Sequence, residues 1–290
     1  MNSSTKAQKK ATIIPRRPIS ILLSIIALAM LAYSALCAGF YVRQNRLVFQ
    51  PERALGATPA HQGLPFEDVR MLAPDGTALA AWYVPGRAGG RTVLLLHGNG
   101  GNISHYLRTL VVLHQLGHGV LALDYRGYGA SAGTPSEVGL YQDAAAAFDY
   151  LVSERQLAPR QIVIYGRSLG GAVATWLAAH RRPGALILES TFTRLSDVGS
   201  YRYPWLPVRL LLRYSFDSVA QMAAVQCPVL VAHGQTDTTV PEVFGRALAA
   251  AAGPQAEFVP LAGGHNDAFI QGGAPYYRHL NQFMRHAVSD

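Results

Sequence analysis

Downstream of residue 46 the chain alternates short apolar runs with longer stretches whose apolar positions recur at helical spacing. The runs fall at 66–71, 78–84, 92–96, 120–123, 162–165, 185–188, 229–232 and 257–260. Most are rich in β-branched residues or wholly apolar, the pattern of strands buried on both faces. Pro74-Asp75-Gly76 between the first two predicts a turn joining an antiparallel pair. Helices are predicted at 103–116, 136–154, 168–180, 241–251 and 275–288. This β-α alternation describes an open, mostly parallel sheet flanked by helices, with chemistry expected beyond the carboxyl ends of its strands. Residues 191–222 break the alternation. They are too long for an ordinary connection and read as a small cap inserted over the strand ends.

The stretch before this body behaves differently. Residues 18–42 hold no charge, and a helix of that length can cross a hydrocarbon core of about 30 Å. Tyr33 and Tyr41 approach its far end, where aromatic rings favour the membrane interface. A cleaved signal peptide is the rival reading, but its apolar part is shorter, and Ala35-Leu36-Cys37 and Cys37-Ala38-Gly39 make poor cleavage sites. Leu36 before Cys37 also argues against a lipoprotein signal. The segment is expected to be an uncleaved signal anchor, preceded by a basic tail, 1–17. Lys6, Lys9, Lys10, Arg16 and Arg17 precede it, while Arg43, Arg46 and Arg53 follow. That bias favours a cytoplasmic N-terminus and a body, 47–290, on the periplasmic, lumenal or extracellular side.

Composition narrows the classes further. Half of the 290 residues are hydrophobic and 14% are charged, which excludes intrinsic disorder. Two cysteines cannot build a disulfide scaffold or a four-cysteine zinc site. The net charge of +8 invites a nucleic-acid reading, yet the first 53 residues carry eight bases against Glu52 alone. The folded part is close to neutral, so no nucleic-acid partner is expected.

Gly166-Arg167-Ser168-Leu169-Gly170 follows a predicted strand and opens a predicted helix. In that setting G-x-S-x-G reads as a nucleophile elbow, a sharp turn that lifts the serine hydroxyl above the sheet. A serine needs a base. His265 lies after the last strand, where Gly263-Gly264 frees its loop to reach Ser168. The third member, an acid that fixes the histidine tautomer, is assigned to Asp237 after the preceding strand, giving the order Ser…Asp…His. Glu189, one strand earlier, and Asp267, beside the histidine, are its rivals. His97-Gly98-Asn99-Gly100-Gly101-Asn102 closes the 92–96 strand. Its glycines could cradle a phosphate, but neither Gly-Lys-Ser/Thr nor G-x-G-x-x-G is present. The backbone amides of Asn99 and Leu169 are the expected oxyanion donors, and His97 is expected to be structural.

Together with Asp124-Tyr125-Arg126-Gly127-Tyr128-Gly129 and His233-Gly234, these motifs make the chain resemble the α/β-hydrolases. Within them it is similar to the membrane-anchored serine hydrolases that include the protein depalmitoylases. The resemblance extends from about residue 47 to the C-terminus. It implies Ser168, Asp237 and His265 as a triad, with Asp124–Gly129 shaping the strand end beside the site. The depalmitoylases carry an N-terminal cysteine cluster that this chain lacks, so their substrate is not carried over. The expected activity is hydrolysis of an ester or thioester in a small-molecule or lipid substrate, with no metal or organic cofactor. A peptidase or amidase of the same fold and a non-catalytic membrane-bound scaffold are the alternatives.

Overall fold

The computed structural model describes residues 16–286. Lys6, Lys9 and Lys10 of the basic tail lie outside the described residues, as does Val288, the predicted end of the last helix. The chain divides between Arg43 and Gln44 into two compact units. The described residues of the first belong to α1 (Arg16–Val48), which is long and apolar enough from Ile19 to Val48 to cross a membrane. Ile21, Leu28, Leu31 and Val42 expose most of their surface, so this helix is no core helix of a packed domain. The helix runs beyond the expected end at residue 42. Arg43, Gln44, Asn45 and Arg46 continue it, and the last turn, from Gln44 on, already belongs to the second unit.

That second unit holds an eight-stranded sheet. In chain order the elements are β1 (Gln50–Pro51), β2 (Glu67–Leu72), β3 (Ala78–Val84), β4 (Thr92–Leu96), β5 (Gly100–Gly101), α2 (Leu107–Gln115), β6 (Gly119–Asp124) and α3 (Glu137–Ser153). There follow β7 (Ile162–Arg167), α4 (Leu169–His180), β8 (Ala185–Glu189), α5 (Leu195–Arg202), α6 (Val208–Leu211), α7 (Ser218–Met222), β9 (Val229–Gly234), α8 (Glu242–Ala252), β10 (Ala256–Leu261) and α9 (Ala268–His286). The sheet order is β10-β9-β8-β7-β4-β6-β3-β2, parallel except where β3 pairs antiparallel with β2 and β6. Successive residues of a strand point to opposite faces, and here both faces are apolar. Leu94, Leu96, Leu121, Leu123, Ile164 and Leu188 enter one core. Val93, Leu95, Val120, Ala122, Val163 and Ile187 enter the other.

Two departures from the sequence reading have physical causes. The last helix begins at Ala268 rather than at residue 275, because Gly273, at φ 53°, kinks two helical segments joined end to end. Pro275 lies just inside the second, where its missing N–H costs little. The two-residue β1 pairs with β5, and Gln50 N and Glu52 N donate to Asn99 O at 2.9 Å and Gly101 O at 3.0 Å. The chain leaving α1 therefore braces the loop after β4. The stretch 191–222 folds as α5, α6 and α7 with their connections.

Candidate active site

Strands β4, β7, β9 and β10 run parallel, with β8 between β7 and β9, and the loops at their carboxyl ends bring the predicted residues together. Ser168 sits between β7 and α4 with φ 51° and ψ −121°, a backbone strain that non-glycine residues adopt only when their surroundings impose it. The surroundings are tight. A Cβ on Gly166 would lie 2.3 Å from Gly170 O, and one on Gly170 would lie 2.1 Å from Leu96 O. Only glycines let α4 start this close to β7 and β4. Ser168 N donates to Glu189 O at 2.9 Å, and Ser168 O accepts from Gly171 N and Thr191 Oγ1 at 2.9 and 2.7 Å.

From the loop after β10, His265 Nε2 lies 3.0 Å from Ser168 Oγ and Nδ1 lies 2.7 Å from Asp237 Oδ2. Asp237, on the turn after β9, accepts Thr239 N at 2.9 Å and Val240 N at 2.8 Å on its other oxygen. Because the carboxylate can only accept, Nδ1 carries the proton and Nε2 presents its lone pair to the serine; the tautomer is assigned from this network. Burial raises the Asp237 pKa, but hydrogen bonds from His233 and His265 outweigh it and hold the carboxyl well below its ordinary range. The rival acids are engaged elsewhere. Asp267 Oδ1 accepts Gly264 N at 2.6 Å and shapes the histidine loop. Glu189 pairs with Arg167 at 3.3 Å and accepts the Tyr165 hydroxyl.

The loop after β4 abuts the serine, and a Cβ on Gly98 would lie 3.5 Å from Ser168 Cβ. Gly98 N is taken by Tyr106 OH at 2.8 Å, whereas Gly98 O accepts from His97 Nδ1 at 2.7 Å. Fixing that carbonyl also fixes the Asn99 N–H on the other side of the same trans peptide, directing it away from His97. The Asn99 carbonyl is held by Tyr128 OH at 2.8 Å. Beneath the loop, Asp124 Oδ1 accepts Ile103 N at 2.9 Å and lies 3.7 Å from His97 Nε2. Burial lowers His97 to about 4 and raises Asp124 to about 7, so the imidazole is neutral at neutral pH and the carboxyl keeps its proton well above the ordinary carboxylate range. Among the described residues no group of three or more His, Cys, Asp or Glu is arranged to hold a metal.

A family model described as serine aminopeptidase, S33, matches residues 89–214. An uncharacterized protein of Mycobacterium tuberculosis is 40% identical over 90% of this chain and 94% of its own length. An Arabidopsis thaliana protein named for its α/β-hydrolase domain is 34% identical over 83% of this chain and 87% of its own. This chain belongs to the α/β-hydrolases. Other similarities fit the assignment. The α/β-hydrolase shares 34% identity with a Saccharomyces cerevisiae protein described as a membrane protein, over 85% of this chain and 90% of that one. By fold it resembles a Pyrococcus furiosus esterase, with a TM-score of 0.69 at 20% identity over 83% and 98% of the two chains.

One functional contact of this α/β-hydrolase escaped the sequence reading. Arg167, directly before the serine, donates from Nη2 to His265 O at 2.7 Å while its Nε faces Glu189. The guanidinium also lies 5.7 Å from the Tyr106 ring centroid. One side chain thus ties the histidine loop to the elbow and to the tyrosine under the loop after β4. The only sequence signal is its place in the G-x-S-x-G motif together with an acid at the end of the neighbouring strand.

Proposed function

We propose that the protein is a membrane-anchored serine hydrolase that cleaves carboxylic ester or thioester bonds through an acyl-enzyme. The observation that carries this reading is the relay from Asp237 through His265 to Ser168, at 2.7 and 3.0 Å, within hydrogen-bonding reach at each step. Ser168 Oγ attacks the carbonyl carbon as His265 Nε2 takes its proton, and Asp237 stabilises the imidazolium. The oxyanion is bound by the amides of Asn99 and Leu169, the latter at the N-terminus of α4. His265 then protonates the leaving alcohol or thiol, activates a water against the acyl carbonyl and returns a proton to Ser168. None of these steps requires a metal or organic cofactor.

The helix from Ile19 to Val48, with the printed description of the yeast relative, supports anchoring in a membrane. Arg16 and Arg17 at its start, with the three upstream lysines, favour a cytoplasmic N-terminus and a body on the periplasmic, lumenal or extracellular side. An aminopeptidase is the second reading, favoured by the description of the matching family. Against it, an aminopeptidase must hold a substrate ammonium, and Glu189 beside the elbow is already neutralised by Arg167.

Fluorophosphonate labelling and hydrolysis of p-nitrophenyl esters against aminoacyl anilides test the proposal. Labelling and ester turnover should both vanish in Ser168→Ala with the fold intact. Turnover retained by that variant refutes the nucleophile; anilides cleaved in preference to esters support the peptidase.

A further inference from the structure

The cap presents an outward surface that the proposed chemistry does not use. Tyr201, Trp205 and Leu210 are exposed, Leu210 by 85%. Arg202, Arg209 and Arg213, interleaved with them in sequence, are exposed too, and residues 201–214 contain no acidic side chain. Within the cap, Arg209 faces Asp197 of α5 at 3.5 Å, yet is itself 77% exposed. Tyrosine, tryptophan and leucine interleaved with arginine is the composition of a surface that lies in a lipid headgroup layer.

The cap is also fastened close to where the apolar run ends. Gln44, itself buried, donates from Nε2 to Leu211 O at 2.8 Å, and its Oε1 accepts Arg213 N at 2.7 Å. Asn45 Nδ2 donates to Tyr214 OH at 3.2 Å. Gln44 follows Val42 by two residues, a rise of about 3 Å along a helix. A headgroup layer is roughly 5–8 Å deep. The backbone at Leu211 and Arg213 is therefore tied to a residue within that depth of the last uncharged position of the run.

We propose that this face of the cap, Tyr201, Trp205 and Leu210 with Arg202, Arg209 and Arg213, docks on the anionic lipid surface of the bilayer that holds α1. The inference rests on the membrane-anchored reading of α1. Docking would set the cap at the depth where lipid ester groups lie, and it would weaken with salt, because the arginines contribute by long-range attraction.

The test uses the full chain in vesicles of phosphatidylcholine with or without phosphatidylglycerol. Cys37→Ser removes the thiol in the apolar helix, and Cys227 is buried. Leu210→Cys, or Val243→Cys on the exposed face of α8, then receives an environment-sensitive fluorophore. The probe at 210 should shift to the blue and lose emission to spin-labelled lipid when phosphatidylglycerol is present. It should do so less in phosphatidylcholine alone or high salt, while the probe at 243 stays aqueous. Equal, water-like emission from both positions, with the chain retained through alkaline extraction, overturns the docking and leaves the anchor standing. Release of the chain by alkaline extraction overturns both. Shielding at 210 that persists in detergent and grows with protein concentration assigns the face to a second copy and overturns the lipid partner.

Discussion

Replacing Asp237 by asparagine is the sharpest probe of the relay, because the structure dictates how the new side chain must sit. The backbone amides of Thr239 and Val240 hold Oδ1 at 2.9 and 2.8 Å, and an asparagine oxygen takes that place. Its NH₂ then occupies the Oδ2 position, 2.7 Å from His265 Nδ1. Two donors cannot face each other. The imidazole therefore gives up the Nδ1 proton and carries it on Nε2, where an N–H meets Ser168 Oγ at 3.0 Å instead of a lone pair. The base is lost although nothing has moved. Well-studied triads lose about 10⁴ in kcat on this substitution, or roughly 5 kcal/mol of transition-state stabilisation. The fall should appear in kcat for a p-nitrophenyl ester with KM nearly unchanged, measured against Ser168→Ala as the floor, with circular dichroism confirming the fold. Activity within tenfold of the parent would refute the argument. Were Glu189→Gln to abolish turnover while Asp237→Asn did not, the acid would have to be reassigned.

The buried pair under the loop after β4 makes a prediction about pH. Asp124, raised to about 7, holds its proton more tightly folded than unfolded, so its contribution to stability is full below about pH 4 and lost as pH rises to 7. His97, lowered to about 4, works in the opposite sense: its contribution is present above about pH 6.5 and lost as pH falls towards 4. Each amounts to a few kcal/mol, on the order of 3–4. The two slopes offset one another, so Asp124→Asn should leave stability rising with pH between about 4.5 and 6.5 in urea melts; a flat profile refutes this. Arg167→Met removes the bond to His265 O and should lower kcat about 10- to 100-fold with little change in KM; an unchanged kcat would show that the loop positions itself. Gly170→Ala should lower stability by about 3 kcal/mol or more through the clash with Leu96 O, and an unchanged Tm would show that α4 shifts freely.

The fold was legible where local pattern and tertiary burial coincide. Strands β4, β6, β7, β8 and β9 are buried along almost their whole length, so their apolar runs needed no partner to be recognised. The turn at Ser168 stood out in the sequence as G-x-S-x-G, although only Gly166 is demanded by a contact one turn away; Gly170 answers to Leu96 O on a distant strand. Other features depend on residues distant in sequence. Arg167 reaches a carbonyl 98 positions downstream. The pairing of Gln50-Pro51 with Gly100-Gly101 joins residue types that rarely mark a strand. The uncharged run ends at Val42 in the sequence, yet the helix continues to Val48 and Gln44 finds its partners in the cap, more than 160 residues away.

Under the proposed membrane anchoring, the short strand β1 bears on how the body could be released. A protease cutting ahead of Gln44 would liberate the globular body with its Asn99 wall still clamped by Gln50 and Glu52. A cut only a little later, between Pro51 and Ala54, would leave Gln50 on the N-terminal fragment, with no covalent link to the body that holds Asn99. At that point releasing the body and loosening the loop after β4 would be a single event.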